Sequence, residues 1–135
     1  MWRQLPRTGF RTVVLVSLAA LIASCGSGEQ VVTGTNIVAR AKECSDSSPG
    51  PGGGAALTGS AWRAGTLVVD ATEVVACGMQ LLRPSFAVAA DELALDWAWG
   101  MSGGGVAACR CTYALQFEVT GLEQRQYTIR VPKRQ

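Results

Sequence analysis

Five cysteines are the side chains best equipped for chemistry in this chain: Cys25, Cys44, Cys77, Cys109 and Cys111. A thiol can carry a lipid, pair as a disulfide, ligate a soft metal or attack as a nucleophile, and its neighbours decide which. Histidine is absent. The usual base that activates a cysteine or serine is therefore missing, along with the commonest general acid–base group and the commonest metal ligand.

Cys109-Arg110-Cys111 admits three arrangements. Four-thiolate zinc with Cys44 and Cys77 calls for close pairs spaced by two to four residues. This chain has one close pair, with a single residue between. A bond inside the pair is unfavourable on a strand. Residues two apart lie roughly 6.4–6.8 Å apart there, at the far limit of a bridge, with near-parallel Cβ vectors. The third arrangement has both thiols facing the core and each crosslinked elsewhere. Two pairings satisfy it, 44–109 with 77–111 or 44–111 with 77–109, and both stay open. No metal and no cofactor is implied.

Other groups offer less. Trp97 and Trp99 lie two apart and share a strand face with Leu93 and Leu95, the pattern of a core. Trp62, beside Arg63, stands nearer the start of the domain. These three tryptophans are the candidate ligand contacts, Trp62 foremost. Asp91, Glu92 and Asp96 form a local acidic group without the Asp-rich spacing of a calcium loop, and read as surface charge. "GMSGGG", 100–105, lacks the Gly-Lys-Ser/Thr ending of a phosphate loop and reads as a turn. No catalytic residue is assigned.

The N-terminus accounts for Cys25. Arg3, Arg7 and Arg11 precede Val13–Ala23, an apolar run broken only by Ser17. A basic start, a short apolar run and small residues at its end make a secretory signal. The run falls well short of the about 20 apolar residues a spanning helix needs. Ile22-Ala23-Ser24-Cys25 resembles the lipobox of bacterial lipoproteins. That resemblance implies cleavage before Cys25, a diacylglyceryl group on its thiol, an acylated new amine, and hence a membrane partner. Two or more acyl chains hold a protein firmly where one does not. In the resembling Gram-negative proteins, aspartate after the cysteine retains the product in the inner membrane; Gly26 stands here, so the resemblance favours the outer membrane.

Cleavage removes three of twelve basic residues and none of the ten acidic ones, which turns a formal +2 into −1. No basic field is left to neutralise phosphates, so nucleic acid is not an expected partner. Arg130, Lys133 and Arg134 read as a solubilising tail. The four cysteines beyond Cys25 suit an oxidised framework in an exported domain. The expected divisions are a signal peptide at 1–24, a lipid-anchored leash and flexible segment at 25–56, and a β-sandwich domain at 57–135. "SDSSPGPGGG", 45–54, cannot pack as a regular element.

Strands are legible by alternation. "VVTGTNIV", 31–38, is β-branched and reads as a first strand. In 66–77, Leu67, Val69, Ala71, Val75 and Cys77 face one way, with Glu73 the misfit; a bulge, or a strand shared between two sheets, would explain it. "SFAVAA", 85–90, and "ELALDWAW", 92–99, follow. The clearest is "CRCTYALQFEV", 109–119, apolar at every odd position and mostly polar between, as in an antiparallel sheet packed on one face. "QYTIRV", 126–131, repeats the pattern, and 120–126 is short enough to join the last two as a hairpin.

These short strands define an all-β class, a small antiparallel sandwich. "FEVTGLEQRQYTIRV" resembles the closing hairpin of immunoglobulin-like, fibronectin-like and transthyretin-like sandwiches. It departs from them where Arg125 and Gln126 replace the usual Pro-Gly or second glycine. Fold likeness says nothing of ligand. The expected function is a lipid-anchored envelope protein, not an enzyme, that holds a protein or glycan. A structural surface lipoprotein is the alternative and a carboxylate hydrolase a distant one.

Overall fold

The computed structural model describes residues 28–42, 54–101 and 109–134. The signal segment 1–24, Cys25, Cys44 and the Gly/Pro-rich stretch 45–53 lie outside the described residues, as does most of 100–105.

Eight strands form two sheets: β1 (Glu29–Gly34), β2 (Ile37–Lys42), β3 (Ala56–Arg63), β4 (Thr66–Ala76), β5 (Met79–Ala89), β6 (Glu92–Met101), β7 (Arg110–Val119) and β8 (Thr128–Arg130). Five strands pair in the order β1-β2-β7-β4-β3, and three in the order β5-β6-β8. The inner faces pack into one sandwich core of Leu67, Val69, Leu93, Leu95, Tyr113, Leu115, Phe117 and their neighbours.

Turn chemistry sets the hairpins. Ala64 and Gly65 both take positive φ, 48° and 80°, between the paired residues Arg63 and Thr66. That is the two-residue turn whose twist matches its flanking strands. Asn36 takes φ 56° in the loop after Gly34, which pairs with Ile37. Asparagine visits this region more readily than most residues. The expected single strand 31–38 is therefore two strands folded back on each other. The sheet takes in β1 and β2, so residues 29–42, expected within the leash over 25–56, are strands of the sandwich. The reason is legible afterwards: Ile37, Ala39 and Ala41 are buried in alternation against β7.

β7 alternates as expected from Cys111 to Val119. Cys109 precedes the strand and is exposed, contrary to its expected inward orientation. β4 pairs with β7 without interruption from Leu67↔Val119 to Ala76↔Arg110, and it belongs to one sheet. Neither a bulge nor sheet-sharing explains Glu73, which is 2% exposed on the inner face. The β3–β4 pair has a register shift on its β3 side, between Leu57 and Gly59, and a bulge lies in β5, between Leu82 and Ser85, where Arg83 has φ 47°. The β5 bulge moves the buried positions from Leu81 to Pro84, which explains why alternation in 79–84 is hidden in the sequence.

The closing hairpin does not form. β8 pairs with β6, in parallel, through Glu92↔Thr128, Leu93↔Ile129 and Ala94↔Arg130. Residues 120–127 thus cross from one sheet to the other. Asp91 O accepts the Thr128 amide at 2.7 Å, and Asn36 O accepts the Thr120 amide at 2.9 Å. Pro132 follows β8 and brings no N–H to continue the ladder.

The two flanks of the sandwich differ. On one, edge strands β1 and β5 pack together. Gln30 Nε2 donates to Met79 O at 2.9 Å, and its Oε1 accepts the Leu81 amide at 2.8 Å. On the other flank, edge strands β3 and β8 are not paired with each other.

Candidate functional site

Covalent chemistry comes first. Cys77 and Cys109 form a disulfide with Cα atoms 5.5 Å apart. Cys77 N also donates to Cys109 O at 3.0 Å. The pair extends the β4–β7 ladder one step past Ala76↔Arg110, at the Cα separation of a hydrogen-bonded pair. Of the two pairings, this bond belongs to the one that joins 44 to 111. Cys111 is disulfide-bonded as well, while Cys44 lies outside the described residues. No group of three or more His, Cys, Asp or Glu that could hold a metal occurs among the described residues.

Glu73 is at the centre of a polar cluster inside the core. Its Oε2 accepts the indole N–H groups of Trp97 and Trp99, both at 2.6 Å. Its Oε1 lies 3.5 Å from Arg134 Nε. The Arg134 guanidinium is 5.6 Å from the Trp97 ring centroid and donates through Nη2 to the Trp97 carbonyl. Trp97 packs on Phe117 and Trp99 on Tyr113, each at 4.8 Å between centroids. A buried carboxylate is costly unless it is hydrogen-bonded and paired, and here it is both. The indole tips satisfy one oxygen and the guanidinium balances the charge.

This arrangement revises several expectations. Trp97, at 3% exposed, is enclosed and Trp99 is partly buried, so the core reading of the pair holds and they offer no exposed ligand stripe. Arg134 is not part of a free solubilising tail, and Arg130 pairs with Glu92 at 2.7 Å. The acidic group does not converge on a cation: Asp91 pairs with Arg125 at 3.2 Å, and Asp96 accepts the Trp97 amide at 2.9 Å.

A groove of about 430 Å³ runs along the open flank, between Ser60 and Trp62 of β3, Leu67 of β4, Arg125 and Tyr127 of the crossing segment, and Ile129 of β8. Trp62 half-closes it, donating from Nε1 to Arg125 O at 3.0 Å, with its ring 6.4 Å from that of Tyr127. Arg125 lies 5.0 Å from the Tyr127 centroid and donates to Ala90 O at 2.6 Å. Its pKa is raised above the ordinary arginine value, first by hydrogen bonding to the Tyr127 side chain, against desolvation, with lesser help from the charges of Tyr127, Asp91 and Glu123. It stays a fixed cation at the groove mouth. Of the three candidate tryptophans, Trp62 borders this groove.

β3 supplies the groove's free edge. From Ala56 to Ala61 it carries no charge and no proline, and Leu57 is 42% exposed. Arg63 and Lys133 flank the flank's two ends, exposed and unpaired by any ion pair among the described residues.

Sequence reasoning missed Glu73, Arg134, Gln30 and Arg125. Only Glu73 left a signal, as the one charge on an otherwise apolar strand face. No protein-family model, curated protein or solved structure is significantly similar to the chain. Among the described residues, no helix is long and apolar enough to cross a membrane.

Proposed function

We propose that the chain is a lipid-anchored protein of the cell envelope whose sandwich is a non-enzymatic interaction module. Its partner adds an extended segment to the free edge of β3, over the groove bordered by Trp62, Arg125 and Tyr127. The anchoring half rests on the lipobox-like Ile22-Ala23-Ser24-Cys25. The binding half rests on one observation: among the described residues the outer edge of β3 pairs with no further strand, and from Ala56 to Ala61, across its bulge between Leu57 and Gly59, it lacks the charges and prolines that normally blunt an exposed edge. Main-chain groups on such an edge give affinity to an added strand, and neighbouring pockets give selectivity. A protein segment fits this better than a glycan, because a backbone presents N–H and C=O groups at the same repeat as the edge. Arg63 and Lys133 favour a segment with acidic flanks.

The test has two arms. Intact mass of membrane-extracted protein reads the lipid on Cys25; an unacylated mature chain overturns the anchor. A photo-crosslinking residue placed at Thr58 or Ala61 in the anchored protein is expected to trap one discrete envelope protein, and the same residue at Val31 is not. Equal adducts at all three positions, or none from β3, overturn the edge-strand reading. In that case the structural-lipoprotein alternative stands.

A further inference from the structure

The geometry points to a guanidinium-binding pocket, formed by the Glu73 carboxylate, the Trp97 ring and the Trp97 carbonyl, in which Arg134 is an exchangeable occupant. An arginine side chain presented in trans fills the same pocket when the strap 131–134 lifts.

Three features recognise the guanidinium together. The carboxylate gives opposite charge, at 3.5 Å from Arg134 Nε. The indole face gives a cation–π contact, at 5.6 Å from the centroid, within the range where such contacts attract. The Trp97 carbonyl accepts from Nη2. A planar donor fork can serve all three at once, and a compact ammonium cannot.

The pocket is preformed apart from its occupant. The two indole bonds that orient Glu73, both 2.6 Å, come from β6 and remain when the strap leaves. Of the occupant's contacts, the ion pair is the long one. Charge-assisted N–H···O bonds are typically about 2.7–2.9 Å, and the 3.5 Å Nε–Oε1 contact is longer. Arg134 keeps 33% of its side chain exposed. β8 ends at Arg130, and Pro132 withholds the next donor, so residues 131–134 are held by packing of Val131 on the core and of Gly54 beside the Arg134 backbone rather than by strand pairing. Burial of Glu73 makes an empty pocket unfavourable, which gives any arginine that reaches it a reason to stay.

The experiment uses Arg134→Ala in the otherwise intact protein, titrated with methylguanidinium and, at matched ionic strength, methylammonium. The variant is expected to show a lower Tm and altered tryptophan emission. Millimolar methylguanidinium is expected to reverse both saturably, with methylammonium at least several-fold weaker. Glu73→Gln combined with Arg134→Ala is expected to respond to neither. If Arg134→Ala does not fold alone, Arg134→Lys, which keeps a charge but loses the fork, is titrated in the same way with the same expectation. The proposal is overturned if Arg134→Ala matches the parent protein, if both ions act equally, if the double variant still responds, or if the folded variant is indifferent to methylguanidinium.

Discussion

Gln30 stands beside Leu81 as a strand residue would, although it reaches β5 with its side chain rather than its backbone. The amide oxygen accepts the Leu81 N–H at 2.8 Å, while the same amide gives its N–H to Met79 O at 2.9 Å. One primary amide thus supplies the donor and the acceptor of a ladder pair across two sheets. Gln30→Ala is expected to cost about 1–3 kcal/mol, since two hydrogen bonds worth about 0.5–1.5 kcal/mol each are lost. Urea denaturation measures the loss. Amide exchange is expected to speed at Leu81 before it does at Leu93; unchanged exchange at Leu81 would count against the seam role.

Glu73→Ala leaves two indole donors without their acceptor. A buried donor left unsatisfied costs about 1–3 kcal/mol, and Trp97 is enclosed while Trp99 is partly so. We expect a loss of about 3 kcal/mol, with a shift in tryptophan emission. Glu73→Gln keeps a neutral acceptor oxygen and is expected to lose roughly half as much. Equal losses in the two variants would mean that charge, not the indole bonds, dominates.

The Cys77–Cys109 bond closes a loop with a sequence separation of 32. Loops of that size correspond to roughly 3–4 kcal/mol in the chain-entropy account. Replacing both cysteines by serine is expected to lower stability by about that amount under oxidising conditions. Under full reduction, which opens the Cys111 bond in both, the parent and the variant are expected to converge. A variant as stable as the oxidised parent would show that the β4–β7 ladder alone holds this end.

Two glycines separate backbone crowding from side-chain crowding. A Cβ on Gly34 would sit 2.5 Å from Pro84 O and 2.9 Å from Ile37 Cγ2. The first is backbone of β5, so β1 must move away from its neighbour. Gly34→Ala is expected to cost about 1–3 kcal/mol, as overpacking does. A Cβ on Gly100 would meet Leu82 Cδ1 at 2.4 Å, the tip of a side chain that is 37% exposed and free to rotate. Gly100→Ala is expected to stay within about 0.5 kcal/mol, as surface changes do. Thermal melts of the two variants, side by side, check the contrast.

The strands that alternate strictly were legible: β7, β6 and most of β4 follow from the period of two alone. What escaped the sequence depends on relations between distant residues. The turn at Asn36 divides a β-branched run that otherwise reads as one strand. The β5 bulge at Arg83 shifts the phase of alternation, which erases the pattern locally. β8 has the composition of a hairpin partner for β7, yet its edge is taken by β6, because residues 120–127 are held by Asn36, Asp91 and Trp62. Glu73 was visible as an anomaly, but its partners sit more than twenty residues away on β6 and at Arg134. Its place beside Arg63, near the start of the domain, marks Trp62 as the best candidate for partial exposure, and it is half-buried beside a groove. Nothing in the spacing distinguishes Arg134 from Arg130, although one enters the core and the other stays on the surface.

β1 begins at Glu29, and that has a consequence for posture. If Cys25 carries acyl chains, the path from it to β1 spans at most about 14 Å even when fully drawn out. So brief a stem would keep Glu29 near the headgroups. Trp62 is level with Gly34, at the other end of the sheet, so the groove beside it would lie on the part of the body farthest from the attachment point.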